Sequence, residues 1–147
     1  MLCWVMKSYR ILVVDDDRDV LAMLSDWLQD YNHCPTATAR CADEALALLE
    51  RQSFDVVLTN NMMPGMLGVE MAAVIRRRGG PPVIMISGYF TGQMRLKAFA
   101  GGVKAYVRKP FDLEWLLELI EIVMDRGLHY IGSGPPDGFE KGRKAKQ

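Results

Sequence analysis

The sequence has no excess of charge of one sign, and this balance excludes the electrostatics of a nucleic-acid or membrane-surface protein. Lysine plus arginine and aspartate plus glutamate each number 18, so the formal net charge at pH 7 is zero. No overall field therefore draws the chain to phosphate backbones or anionic lipids. We expect its partners to be neither nucleic acid nor membrane.

Cysteines are few and long apolar runs are missing, which excludes several further classes. Cys3, Cys34 and Cys41 are scattered and odd in number, which argues against a disulfide framework or zinc site and for a reducing compartment. The apolar stretch before Lys7 is too short for a signal peptide, and no run reaches transmembrane length. The 147 residues, 50% of them hydrophobic, therefore predict a cytoplasmic globular protein of about one domain.

Short apolar blocks alternate with segments of helical periodicity. Four mainly apolar blocks typical of buried strands cover residues 11–14, 54–59, 83–86 and 103–108, and the first of them is unbroken. A weaker strand over residues 33–38 is expected near a sheet edge, because Pro35 removes a hydrogen-bond donor. Five strands alternating with five helices predict a doubly wound α/β fold, with a parallel sheet and helices on both faces. The helices are predicted over residues 20–31, 42–51, 68–78, 91–100 and 113–126.

The composition changes near residue 127. From Gly127 onward the chain is rich in glycine and proline and then basic. We predict one domain over residues 8–127, followed by a flexible basic tail over residues 128–147 and no output domain.

Polar residues follow four of the predicted strands. Because ligands of such sheets bind outside the carboxyl ends of the strands, these side chains are expected to gather there. Carboxylates facing a hydroxyl and a lysine suit a divalent cation and a phosphoryl group. The acidic run taken alone is also compatible with simple capping of the next helix. The residues are Asp15, Asp16, Asp17, Asn60, Ser87 and Lys109.

Four segments of the chain, spanning about residues 9–126, together resemble the receiver domain of two-component response regulators. They are the run ILVVDDD at residues 11–17, MMPGM at 62–66 with Gly68, ISG at 86–88, and AYVRKPF at 105–111. The resemblance implies a (βα)5 fold with the flavodoxin-like strand order 2-1-3-4-5. It also implies that a histidine kinase or phosphotransfer protein is a partner and that the domain is a signalling module, not an enzyme.

The resemblance also implies roles for individual residues. Asp15 and Asp16 match the acidic pair that holds Mg²⁺ in the family. Ser87 matches the hydroxyl residue that moves toward the phosphoryl oxygen, and Lys109 matches the lysine that contacts it. Tyr106 matches the aromatic residue whose rotamer follows that movement.

The chain departs from the family at the phosphoacceptor position, where Asn60 stands in place of aspartate. A carboxylate can attack phosphorus, whereas a neutral amide cannot do so at useful rates. Asn60 is either a natural divergence or an engineered isostere, and the adjacent Asn61 favours the first. The chain is therefore predicted to be a pseudo-receiver, or a phosphorylation-silenced variant, that acts in the phosphorelay by protein–protein interaction.

The same substitution should weaken metal binding. Removing one of three close carboxylates relieves repulsion but also removes an anionic ligand. We expect only a weak Mg²⁺ site formed by Asp15, Asp16 and the side-chain carbonyl of Asn60. Lys109 loses a partner and should instead contact Asp15 or Asp16.

The last predicted helix is apolar over more than half of its circumference. Trp115, Leu119 and Ile122 lie outside the stripe that should pack on the sheet. One interpretation is a partner surface across helix four, strand five and helix five, such as a homodimer in which Lys97, Lys104 and Arg108 are basic counterparts of an acidic strip on the last helix. This strip consists of Glu114, Glu118, Glu121 and Asp125. The alternative is a solvated acidic face with a few exposed apolar residues.

Other functions remain open but have less support. The run Asp15-Asp16-Asp17 with Ser87 and a later lysine also resembles the first motifs of haloacid-dehalogenase-type phosphatases, with Asp15 as nucleophile and Asp17 as acid/base. No late pair of acids or cap insertion accompanies them. A flavodoxin-like cofactor binder lacks its phosphate loop after strand one, and a DNA-binding regulator lacks its helix-turn-helix.

Overall fold

The protein is described from a computed structural model that covers residues 8–31, 33–88, 91–127 and 130–131. Its centre is a parallel sheet with strand order β2-β1-β3-β4-β5-β6. The first five strands have the order 2-1-3-4-5 and, with the helices between them, confirm the predicted doubly wound fold. The strands are β1 (Ile11–Val14), β2 (Thr36–Ala39), β3 (Val56–Thr59), β4 (Val83–Ser87), β5 (Val103–Arg108) and β6 (Tyr130–Ile131).

The structure differs from the sequence prediction at β6. Tyr130 and Ile131 pair in parallel with Ala105 and Tyr106 of β5, so two residues of the predicted tail belong to the sheet. No apolar block marks them in the sequence, because two residues are too few to form a periodic pattern. The rest of the predicted tail, residues 128–129 and 132–147, lies outside the described residues.

The helices begin and end where local chemistry favours it. Asp17, Thr91 and Asp112 are the N-caps of the first, fourth and fifth helices, and each side chain accepts a backbone N–H of its own first turn. The first helix continues as a π-helical segment over Trp27–Tyr31. The helices are α1 (Arg18–Asp26), α2 (Ala42–Arg51), α3 (Gly68–Arg77), α4 (Gly92–Ala100) and α5 (Leu113–Arg126).

The core has two parts, one on each face of the sheet. One part lies between the sheet and helices α1 and α5, and the other lies between the sheet and helices α2, α3 and α4. The predicted exposure of Trp115 and Leu119 on α5 is wrong, because both are buried in the first part. Leu24 of α1 and Leu28 of the π-helical segment belong to the same cluster, so α5 buries more than the one stripe that faces the sheet.

No helix in the described part of the chain combines the length and the apolar character needed to cross a bilayer.

Candidate functional site

Four strands present polar residues at one edge of the sheet. Asp15 follows β1 and Asn60 follows β3, and these strands pair with Val14 opposite Thr59. Ser87 ends β4, and Lys109 comes directly after β5. Since all four strands are parallel, their carboxyl ends meet at the same edge. The gathering that the sequence predicted is therefore present in the fold.

Asp15 is the buried carboxylate of this edge, with 4% of its surface exposed. Its Oδ2 atom lies 3.1 Å from the Lys109 Nζ atom, and its Oδ1 atom accepts the backbone N–H of Asp17 at 2.9 Å. Lys109, as expected, contacts one of the two acids left at the site. A buried carboxylate requires such partners, because burial removes it from water.

The three consecutive acids have different surroundings. Asp17 caps helix α1, with its Oδ1 atom accepting the backbone N–H of Asp19 at 2.9 Å. The helix-capping interpretation therefore describes Asp17. It does not describe Asp15, which faces Lys109, or the exposed Asp16, which faces Asn60.

Asn60 turns its amide nitrogen toward the acidic residues. The Nδ2 atom donates to the backbone carbonyl oxygen of Met62 at 2.9 Å and approaches the Asp16 Oδ1 atom at 3.4 Å. The sequence prediction had the Asn60 carbonyl oxygen facing the site beside Asp15 and Asp16 as a metal ligand, so the structure differs here. The physical reason is that both neighbouring atoms are hydrogen-bond acceptors and therefore select the N–H₂ group.

In this arrangement the residues do not fit a Mg²⁺ ion, which needs oxygen ligands converging on one point. Two oxygens, Asp16 Oδ1 and the Met62 carbonyl, do converge, but they converge on the Asn60 Nδ2 atom. Within the described residues, no group of three or more His, Cys, Asp or Glu side chains is placed to hold a metal ion. The weak Mg²⁺ site predicted from the sequence stays a prediction.

Ser87 and Tyr106 form the other side of the edge, and both are buried. Ser87 has 1% of its surface exposed and Tyr106 has none. Burial raises the pKa of the Tyr106 hydroxyl, and a hydrogen bond with Ser87 lowers it in part. The two residues that the resemblance paired as hydroxyl and aromatic are thus in contact.

Asn61 is a residue of this region whose contribution sequence reasoning missed. Its side chain is fully buried, and its Oδ1 atom accepts the backbone N–H of Val69, in the first turn of α3, at 3.0 Å. Its Nδ2 atom lies 3.8 Å from the Met94 sulfur of α4. No local sequence signal marks it, because a capping residue is ordinarily sought directly before its helix.

Gly68 allows the close approach of α3 to the site. A Cβ atom at this position would overlap the backbone oxygen of Asn60. The glycine thus lets the start of α3 pack directly against the backbone of Asn60.

Comparison with known proteins gives a consistent match. The protein-family model of the response regulator receiver domain matches residues 11–121 of this chain. The chemotaxis protein CheY of Pseudomonas aeruginosa is 32% identical over 120 residues, which cover 80% of this chain and 97% of that protein. The heme response regulator HssR of Staphylococcus aureus is 34% identical over 117 residues. These residues are 80% of this chain, but the chain spans only 52% of the length of HssR.

The fold matches solved structures as well. The chemotaxis protein CheY4 of Vibrio cholerae has a TM-score of 0.73 and 30% identity, covering 78% of this chain and 98% of that one. A beryllofluoride-activated receiver domain, that of DrrB, has a TM-score of 0.70 and 29% identity, covering 80% and 98%.

Proposed function

The chain belongs to the response regulator receiver domain family, and from this premise we propose that it is a pseudo-receiver of two-component signalling. It acts by binding partner proteins in the cytoplasm and does not complete a phosphorylation cycle. The observation that supports this most directly is Asn60 itself, which comes directly after β3 and whose amide is not a nucleophile.

Within the described residues, the carboxylates nearest to Asn60 already have other contacts, and Asp16 among them contacts the Asn60 amide itself. Asp55 lies at the opposite end of β3, where its Oδ2 atom accepts the Arg10 backbone N–H at 2.7 Å. Asp15 is paired with Lys109. Asp17 holds the first turn of α1, which also argues against a haloacid-dehalogenase-type acid/base role for it.

A histidine kinase or phosphotransfer protein is the proposed partner. Beside Lys109 lies an open, largely apolar groove of about 480 Å³ between α1 and the segment that leads into α5. Met23, at the groove, is one of the exposed large apolar residues of the described chain. An apolar groove next to the site offers a surface that a partner can cover without phosphoryl transfer. The groove is lined by Val20, Met23, Lys109, Pro110, Phe111 and Leu113.

A homodimer through α4, β5 and α5 remains a second proposed assembly, on a narrower basis. Trp115 and Leu119 are buried and supply no apolar surface, so the support is the exposed Leu96 of α4 together with charge: Lys97 and Arg108 are exposed, as is Asp125 on α5. Charge complementarity of this kind weakens with added salt. Sedimentation velocity at low and high salt tests it, and a monomer at low salt and high protein concentration would exclude this dimer.

The decisive experiment is binding of the phosphoryl analogue beryllofluoride. It is titrated with Mg²⁺ into the protein and into Asn60→Asp, while NMR shifts of Ser87, Tyr106 and Lys109 are followed. We expect only Asn60→Asp to respond, since a carboxylate oxygen is needed to hold the analogue. A response by the unaltered protein contradicts the pseudo-receiver proposal. If neither protein responds, the whole site has diverged and the proposal of an otherwise intact receiver is wrong.

A further inference from the structure

Two oxygen atoms from different parts of the chain point at one nitrogen. Asp16 belongs to the loop after β1, and Met62 belongs to the loop after β3. The Asp16 Oδ1 atom and the Met62 carbonyl oxygen lie 3.4 and 2.9 Å from the Asn60 Nδ2 atom. The amide nitrogen therefore connects these two loops across the carboxyl edge of the sheet.

The chemistry of the two oxygens determines what can lie between them. A carboxylate and a backbone carbonyl are acceptors only, so the group between them must be a hydrogen-bond donor or a cation. An amide N–H₂ group has two protons and can serve both acceptors at once. Convergent carboxylate and carbonyl oxygens are also the donor set that a hard divalent cation prefers.

The charges around the nitrogen are already close to balance. The buried carboxylate of Asp15 has Lys109 at 3.1 Å, and Asn60 adds no charge. Asp16 is the remaining acid, and it is exposed to water and in reach of the amide. A carboxylate in place of Asn60 would add a third negative charge to this edge and restore the need for a cation.

We propose that the Asn60 amide group takes the place of a divalent cation at this edge, and that it excludes the cation by occupying its position and not only by lacking a charge. The inference rests on the proposed function, in which this edge has no phosphoryl chemistry to perform. The two loops are then held by the chain's own atoms, whatever the concentration of Mg²⁺.

Asn60→Ala separates occupancy from charge, because alanine is as neutral as asparagine but has no N–H₂ group. Mg²⁺ is titrated by calorimetry into the protein, Asn60→Ala and Asn60→Asp. We expect Asn60→Ala to bind Mg²⁺ about fivefold or more tightly than the unaltered protein, since the ion no longer competes with about one net hydrogen bond. Asn60→Asp should bind it most tightly. Equal or weaker binding by Asn60→Ala would show that charge alone accounts for the effect and would overturn the inference.

Asp16→Asn in the Asn60→Ala background is the matched control for location. It should abolish the regained Mg²⁺ binding, and regained binding that survives it lies elsewhere and also overturns the inference. A failure here is distinguishable from a failure of the proposed function, because the beryllofluoride experiment reports on the nucleophile and this one on the cation.

A measurement on the unaltered protein keeps the test independent of whether the variants fold. The side-chain ¹⁵N–¹H₂ signals of Asn60 should show protons protected from exchange with water and should not move when Mg²⁺ is added. Rapidly exchanging signals, or signals that shift on addition of Mg²⁺, contradict an amide held between Asp16 and the Met62 carbonyl.

Discussion

The two halves of the carboxyl edge are held in different ways. In the half at the ends of β1 and β3, Asp16 and Asn60 are partly or fully open to water and are held by polar contacts, and the buried Asp15 is paired with Lys109. The half at β4 and β5 contains Ser87 and Tyr106, which are enclosed by the core. A substitution in the first half exchanges donors and acceptors locally, whereas the second half is maintained by packing. A substitution at Asn60 is therefore expected to leave the remaining residues of the receiver pattern in position.

The largest loss of stability should come from removing a buried side chain in the half at β4 and β5. Tyr106→Ala removes a fully buried ring and should lower the free energy of unfolding by about 3–5 kcal/mol. Tyr106→Phe keeps the ring and removes only the hydroxyl bonded to Ser87, so its cost should be about 1 kcal/mol. Urea unfolding measures both. Equal effects of the two variants would mean that the hydroxyl, and not packing, maintains this half.

Asn61 tests whether the polar half has a packed component of its own. Asn61→Ala leaves the Val69 backbone N–H without its acceptor inside the protein, which should cost about 1–3 kcal/mol of unfolding free energy. Asn61→Asp keeps an acceptor oxygen and serves as the matched variant for that single contact. Asn60 and Asn61 are adjacent in sequence and differ in burial. If Asn61→Ala lost less unfolding free energy than Asn60→Ala, the view that this difference in burial determines their contributions to stability would be contradicted.

Lys109 joins the two halves, and its removal should have a smaller effect. Lys109→Met leaves the buried Asp15 carboxylate without its cation, at a cost of about 1 kcal/mol, because 28% of the lysine side chain remains open to water and screening. Adding Asp15→Asn should recover part of the loss. If the double variant lost more unfolding free energy than the two single variants lose together, Asp15 and Lys109 would not be an electrostatic unit.

The titration of the buried tyrosine hydroxyls should have the smallest effect on stability at neutral pH. Burial, together with Asp125 and Glu121, raises the pKa of Tyr9 to about 12 from 10.0. The folded protein therefore keeps the Tyr9 proton when the unfolded chain has lost it, so stability is complete below pH 10 and falls as the pH rises from 10 to about 12. The free energy of unfolding measured across this pH range should show the loss of stability. Tyr9→Phe should reduce this loss more than Tyr106→Phe does, because the hydrogen bond with Ser87 partly lowers the pKa of Tyr106. The reverse order would refute this assignment.

Much of the fold was predictable because its signals are local. Strands buried on both faces appear as short, mainly apolar runs, and Thr91 and Asp112 stand directly before the helices that they cap. The prediction failed where the surroundings come from distant parts of the chain. Trp115 and Leu119 have the spacing of an exposed side of α5, but both belong to a core cluster that residues of α1, about 90 positions earlier, also form.

The sequence by itself determined that the chain has a parallel sheet, because that follows from local periodicity, and its resemblance to receiver domains implied that an amide stands at the phosphoacceptor position. Only the tertiary structure decided how that amide is used. Its nitrogen faces Asp16 and the Met62 carbonyl, Asp15 pairs with Lys109 across 94 positions, and Asn61 is buried against α3 and α4. Side-chain partners at the end of a sheet depend on which strands lie side by side, and that neighbourhood is formed only when the whole chain folds.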